Sequence, residues 1–238
     1  MRRFPLDSVI NGRPLILGHR GSPNELAENT IASFLRALEE GADGVELDVR
    51  QSGDGRLVVF HDDALQTGEV LREHSFDELR EIAAAQNVVV HSLEDVLREL
   101  AGKGYLNIEL KELDTTAKAA DLALALMPAG SYVFSSFLPS VVRECRRLAP
   151  DVPAIYITDS CRDPERVLHL MASSDASGIG IWHQALTPAH AKLCATRDIP
   201  IFVWTVNDPA EAQRLASLGV AGIITDEPAI LSALWKMP

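Results

Sequence analysis

From residue 106 onward the chain repeats one unit: a short run of apolar residues, a polar break, and a segment with helical spacing. Runs at 106–111, 132–136, 154–158, 178–182, 201–206 and 222–225 read as strands. The segments 115–126, 139–148, 164–171, 188–196, 209–217 and 228–234 read as helices. Strands that are apolar throughout, rather than alternately, belong to a sheet buried on both faces, and strand–helix alternation makes such a sheet parallel. Upstream, Leu15 to Gly18 forms another apolar run, Thr30 to Glu40 carries apolar residues at helical spacing before the stop at Gly41, and two β-rich runs flank Gly53-Asp54-Gly55. Nine strand-like runs result. If 57–61 is the return arm of a hairpin, eight remain, the number that closes a barrel. An open doubly wound sheet would call for Gly-x-Gly-x-x-Gly directly after the first strand, and that pattern is missing there. The expected fold is therefore α/β, a (β/α)8 TIM barrel spanning 1–238 as one domain, with a short insertion after the second strand at about 62–91. Within the insertion Phe76 to Ala85 reads as helix, and Ser92 caps another helix over 93–101.

A chain of 238 residues with 47% apolar content suffices for one large core. The net charge of −12 repels nucleic acid and anionic membrane surfaces, so neither is an expected partner; a small anionic substrate remains compatible where local cations override the field. Cys145, Cys161 and Cys194 have no metal-type spacing, and their odd number suits a reducing compartment. Met1-Arg2-Arg3 is basic, but Pro5, Asp7, Asn11 and Arg13 interrupt any apolar run behind it. With no signal peptide and no membrane span in view, a cytoplasmic protein is expected.

The hairpin stretch carries the first chemistry. Glu46 and Asp48 are two apart in a strand, so both point to one face, where like charges repel unless a cation lies between them. A turn centred on Asp54 pairs residues whose numbers sum to about 108, which places His61 near Leu47 and beside Asp48. Two carboxylates and an imidazole at one spot suit a hard cation with a proton-transfer group beside it.

In a barrel of this type chemistry gathers at the C-terminal strand ends. Here those ends carry His19 and Arg20, Glu46 and Asp48, Glu109 and Lys111, Ser135 to Phe137, Trp182 and His183, Trp204 and Asn207, and Thr225 and Asp226. Charges are costly to bury unless paired or metal-bound. Glu46, Asp48 and Glu109 suit Mg²⁺ or Ca²⁺ better than zinc; the plain alternative is a salt-bridge cluster with Arg20 and Lys111. Arg20 offers a planar fork to an anion and Lys111 a point charge. Asp226, followed by Glu227-Pro228, reads as a helix N-cap, and Trp204 as either core or pocket wall. His183 is a weaker pocket candidate, and His74, His91, His169 and His190 read as surface or packing residues.

The same residues form a wider pattern. His-Arg-Gly at 19–21, Glu-Asn-Thr at 28–30, Gly-Ala-Asp-Gly-Val-Glu-Leu-Asp-Val at 41–49 and Val-Val-Phe-His-Asp at 58–62 stand in order. Ile-Glu-Leu-Lys at 108–111, Ser-Phe at 136–137, Trp-Thr-Val-Asn at 204–207 and Thr-Asp-x-Pro at 225–228 follow. Through most of its length the chain resembles the glycerophosphodiester phosphodiesterase family, in its bacterial cytosolic type. The resemblance implies a barrel enzyme that cleaves glycerophosphodiesters to sn-glycerol 3-phosphate and an alcohol. It implies a divalent cation on Glu46, Asp48 and Glu109, His19 and His61 as the acid/base pair, and Arg20 and Lys111 on the phosphate, with Trp204 a candidate for the substrate pocket. Two departures stand out. Ala27 replaces the usual Pro before Glu-Asn-Thr, and Leu65 to Glu69 stand where the family commonly carries a longer insertion that shapes the substrate pocket. A lysophospholipase D-type enzyme, a sugar-phosphodiester enzyme and a non-catalytic binding protein are the rival readings. Oligomeric state has no signature in the sequence.

Overall fold

A computed structural model describes residues 12–159 and 163–235. The readings that rest on Met1 to Asn11 and on Cys161 lie outside the described residues. In chain order the elements are β1 (Leu15–Gly18), α1 (Ile31–Glu39), β2 (Gly44–Gln51), β3 (Leu57–Val59), α2 (Phe76–Ala85), β4 (His91–Ser92), α3 (Leu93–Leu100), β5 (Tyr105–Leu110), α4 (Thr116–Leu126) and β6 (Tyr132–Ser136). There follow α5 (Pro139–Leu148), β7 (Ala154–Thr158), α6 (Pro164–Ser174), β8 (Gly178–Trp182), α7 (Pro188–Thr196), β9 (Ile201–Trp204), α8 (Pro209–Ser217), β10 (Gly222–Thr225) and α9 (Pro228–Ala233).

Eight of these strands are parallel and close on themselves in the order β1-β2-β5-β6-β7-β8-β9-β10, the TIM barrel. Closure is made where β1 pairs both with β10, from Leu15↔Gly222 to Gly18↔Thr225, and with β2, through Leu17↔Gly44 and Gly18↔Val45. Helix starts follow local chemistry. Thr30 caps α1 by accepting from the Ser33 N–H, and Ser75 and Glu78 form a reciprocal capping box on α2. Proline opens α5 to α9, a position where its missing N–H costs nothing and its fixed φ favours the helix.

Strand side chains alternate between two cores. On β2, Val45, Leu47 and Val49 pack outward with Phe34, Leu93 and Val96 of the helices. A separate cluster of Leu15, Leu17, Tyr105, Val133, Ile155, Phe202 and Ile224, with Trp204 against it, fills the barrel interior. By the same alternation Glu46, Asp48, Asn107 and Glu109 face inward above this plug. Gly44 lets the strands close here: a Cβ on it would lie 2.0 Å from the Tyr105 carbonyl oxygen.

The hairpin pairs Val49↔Val59, Arg50↔Val58 and Gln51↔Leu57, the expected register. Its return arm ends at Val59, not at 61; the Phe60 N–H still bonds the Asp48 carbonyl in the same register, and beyond it the chain leaves the ladder. β4 was not anticipated. It pairs antiparallel with β3 through Val58↔Ser92 and Val59↔His91, and Ser92 also caps α3 as expected. Two residues are too short a run for periodicity to register. The strand expected at 201–206 ends at Trp204, and α6 extends beyond 171 to Ser174. Among the described residues, no helix is long and apolar enough to cross a membrane.

Candidate active site

The C-terminal mouth of the barrel is built from β2 and β5 outward. These strands pair Glu46↔Asn107 and Asp48↔Glu109, so three carboxylates share one inner face. One ligand oxygen from each of Glu46, Asp48 and Glu109 lies within 4.8 Å of the others, and all three residues are buried. Burying like charges this closely costs several kcal/mol per ion unless cations or hydrogen bonds offset it. Lys111 Nζ contacts Asp48 Oδ1 at 2.7 Å and also Glu109 Oε1. Arg20 Nε lies 3.2 Å from Asp48 Oδ2, its Nη1 donates to Glu28 at 2.9 Å, and its backbone N–H donates to Glu46 Oε2 at 3.0 Å. The salt-bridge cluster considered from the sequence is thus real, but it leaves charge over: two cations face the carboxylates of Glu28, Glu46, Asp48 and Glu109.

The electrostatics reflect that imbalance. Burial first, and then the charge of Asp48, push the Glu46 carboxyl up to about 8. Glu109 is raised for the same two reasons. Asp48 is equally buried, yet Lys111 and Arg20 beside it and bonds from Lys111 and Asn29 outweigh that and hold its carboxyl below the usual range. A closely packed, all-oxygen set with excess negative charge fits a hard divalent cation, and its donors are wrong for a soft metal.

Asn29 is a residue that the sequence reading quoted in a motif but gave no role. Its side-chain amide donates to Asp48 Oδ2 at 2.8 Å, and its Oδ1 accepts from the Asp48 N–H at 3.2 Å. Both Arg20 and Asn29 have left-handed backbone, with φ of 55° and 57°, which aims their groups back at β2. Asn adopts that region more readily than most residues, and this was the one available signal.

His19 follows β1, and its Nδ1 lies 2.7 Å from Asp226 Oδ1 at the end of β10. Burial opposes its protonation, but the Asp226 bond and the charge of Glu46 outweigh this and raise its pKa. Asp226 is not the helix cap that its sequence context implied. Glu227 holds the cap position of α9, without a side-chain bond, while Asp226 serves His19 and accepts from Asn207 Nδ2 at 2.9 Å. His61 lies just past the end of β3, with its carbonyl accepting from Arg50 Nε at 2.7 Å and its Nδ1 2.6 Å from Asp62 Oδ1. Each histidine therefore carries a carboxylate on Nδ1, which leaves Nε2 for other work.

On the other side of the mouth Trp204 packs on the interior cluster and meets Phe137 edge-on at 5.4 Å. Trp182 is its register neighbour on β8. His183 is turned to Glu211 at 3.0 Å, and His190 is buried in the capping box of α7.

An inward carboxylate triad, two flanking cations and the carboxylate-held His19 thus stand together at the mouth of a TIM barrel. The model of the glycerophosphoryl diester phosphodiesterase family matches residues 19–230, and the chain belongs to this family of phosphodiester-hydrolysing enzymes. It is 30% identical to a glycerophosphodiester phosphodiesterase of Caldanaerobacter subterraneus, over 92% of this chain and 96% of that one. The crystal structure of a Thermotoga maritima glycerophosphodiester phosphodiesterase superposes with a TM-score of 0.77 at 30% identity, covering 93% of this chain and 98% of that one. An Oleispira antarctica phosphodiesterase, solved with sn-glycerol-3-phosphate, shares the fold at a TM-score of 0.81 and 23% identity, covering 95% and 98%.

Proposed function

We propose that this enzyme hydrolyses glycerophosphodiesters to sn-glycerol 3-phosphate and an alcohol, with a divalent cation, Mg²⁺ or Ca²⁺, on Glu46, Asp48 and Glu109. The observation that carries the reading is the buried carboxylate triad whose oxygens lie within 4.8 Å beside Arg20 and Lys111. When bound, such a cation supplies charge neutralisation to the non-bridging phosphate oxygens.

The chain's own groups account for the remaining steps. The Arg20 guanidinium, held by Asp48 and Glu28 with its side chain 17% exposed, turns a planar fork toward a phosphate oxygen. Lys111 adds a point charge at the same place. His19, held through Nδ1 by Asp226, is assigned as the base that takes a proton from the nucleophile. His61, held through Nδ1 by Asp62, gives a proton to the leaving alkoxide. Trp204 forms part of the wall against which the substrate sits. The product sn-glycerol 3-phosphate is the molecule held in the Oleispira structure on the same fold. The buried free thiol of Cys145 supports placement in a reducing cytoplasm.

A second reading concerns the side of the phosphodiester that keeps the phosphate. Phe137 and Trp182 are more than a third exposed beside Trp204, an aromatic arc that suits the acylglycerol part of a lysophospholipid, as a lysophospholipase D-type enzyme would hold while it releases the head-group alcohol. After Asp62 the chain closes a short turn, with Ala64 bridged to Val70, so the insertion adds little further cover. Both readings are tested by one panel: glycerophosphocholine, glycerophosphoethanolamine, glycerophosphoinositol and lysophosphatidylcholine, each with Mg²⁺, Ca²⁺ or EDTA. Release of glycerol 3-phosphate from the three glycerophosphodiesters is the result expected of the first reading, and release of lysophosphatidic acid and choline from lysophosphatidylcholine that of the second; EDTA abolishes either and His19→Ala removes it. Undiminished activity in His19→Ala, or insensitivity to EDTA in metal-free protein, overturns the mechanism.

A further inference from the structure

His61 raises a physical problem. It lies beyond the end of β3, its side chain is 37% exposed and that of its ring partner Asp62 is 69% exposed. Burial therefore does not hold this segment, and an exposed pair of this kind fixes little. A proton donor must nevertheless be placed to within a fraction of an ångström of the leaving oxygen.

The segment is tied instead to β2, the strand that carries the carboxylate triad. The Asp48 carbonyl accepts from the Phe60 N–H at 3.0 Å. One residue further along the segment, the guanidinium of Arg50 donates through Nε to the His61 carbonyl oxygen at 2.7 Å. The same fork donates through Nη1 to Glu112 Oε1 at 3.1 Å. Glu112 directly follows Lys111, and the Lys111 N–H bonds the Val49 carbonyl of β2 at 3.2 Å. From the insertion, Arg72 reaches Glu112 Oε2 and Asp114 Oδ1. Arg50 therefore joins the His61 backbone to the end of β5, where Glu109 and Lys111 stand. It is itself only 19% exposed, so its planar donors are fixed rather than swinging in solvent.

We propose that Arg50 is a positioning residue for this reaction: it sets the place of His61 relative to the triad, with Glu112 holding the guanidinium and Arg72 coupling the insertion to the same joint. The inference rests on the assignment of His61 as a proton-transfer group. The guanidinium bonds of Arg50 go to the His61 carbonyl and to Glu112 rather than to the carboxylate triad. It acts through the main chain of His61, so its effect falls on turnover and not on binding.

The test measures steady-state kinetics on glycerophosphocholine in saturating Mg²⁺ for Arg50→Met, Arg50→Lys and Glu112→Gln, each alone and combined with His61→Ala. Arg50→Met is expected to lower kcat by about ten- to a hundredfold with KM within about twofold. Arg50→Lys, which keeps the charge but not the fork, recovers part of the loss. In the His61→Ala background Arg50→Met changes the residual rate by less than about twofold, since the group it positions is gone. Circular dichroism and the thermal midpoint check that each variant folds; Glu112→Gln, which loosens the guanidinium without removing it, carries the same test if Arg50→Met does not. Wild-type kcat in Arg50→Met, or a loss of the same size with and without His61, overturns the proposal. Wild-type activity in His61→Ala alone overturns the underlying assignment and is read separately.

Discussion

His19 Nδ1 lies 2.7 Å from Asp226 Oδ1, a contact between residues 207 apart in the chain. It exists because β1 and β10 pair in register up to Gly18↔Thr225, so the next residue of each strand emerges at the mouth side by side. The carboxylate holds one ring nitrogen and raises the imidazole pKa against the effect of burial. Asp226→Asn keeps the size and removes the charge. It is expected to lower kcat about tenfold or more. Without the negative partner, the imidazolium is less favoured and its pKa falls. The limb of the pH–rate profile set by His19 then moves to lower pH, which a kcat/KM profile of the variant against wild type measures directly.

Metal removal makes a second prediction. A cation that binds only the folded protein stabilises it by about 2.7 kcal/mol at a hundred times its Kd. Mg²⁺ or Ca²⁺ is expected to raise the thermal midpoint of EDTA-treated protein, and Glu46→Gln or Glu109→Gln to abolish the rise. Burial and Asp48 hold the free Glu46 carboxyl near about 8, so below that pH a cation must displace a proton. Affinity is therefore expected to strengthen as pH rises toward 8 and then level off, which calorimetric titration at several pH values tests.

Asn29 braces the triad from a left-handed backbone position with φ of 57°. Asn29→Ala would take a donor from the buried Asp48 Oδ2, leaving it Arg20 alone, remove the side-chain acceptor of the Asp48 N–H, and place a less tolerant residue at positive φ. A loss of about 2–4 kcal/mol in urea unfolding is expected, together with weaker cation binding.

Gly44 tests closure of the barrel. A methyl group there would sit 2.0 Å from the Tyr105 carbonyl oxygen, and neither strand has room to yield without disturbing the Glu46↔Asn107 and Asp48↔Glu109 pairs above it. Gly44→Ala is expected to cost about 3 kcal/mol or more, and the same change at Gly102, where space is open but φ is +75°, to cost only the roughly 1–2 kcal/mol of left-handed backbone, by chemical denaturation.

Much of this was legible before the structure. The helices over 139–148, 188–196 and 209–217 and the strands over 132–136, 154–158, 178–182 and 222–225 stand where periodicity and prolines placed them, because those signals are local. Two-residue spacing in strands put Glu46 with Asp48 and Glu109 with Lys111 on common faces, and the barrel then brought the two pairs together. Asp226 was misread because Asp before Glu-Pro is good cap chemistry locally; its partner His19 is visible only once β10 meets β1. β4 escaped notice for the opposite reason, since two residues make no pattern.

The sequence by itself determined the repeating strand–helix units, the parallel sheet and the identity of the charged residues at the strand ends, for these follow from side-chain periodicity and backbone preference within a few residues. Only the tertiary structure decided which of those residues touch. The partnership of Asp226 with His19, the brace of Asn29 on Asp48 and the grip of Arg50 on the His61 carbonyl all depend on strand register, barrel closure and backbone torsions such as the positive φ of Asn29. These are relations between distant segments, and no local pattern encodes them.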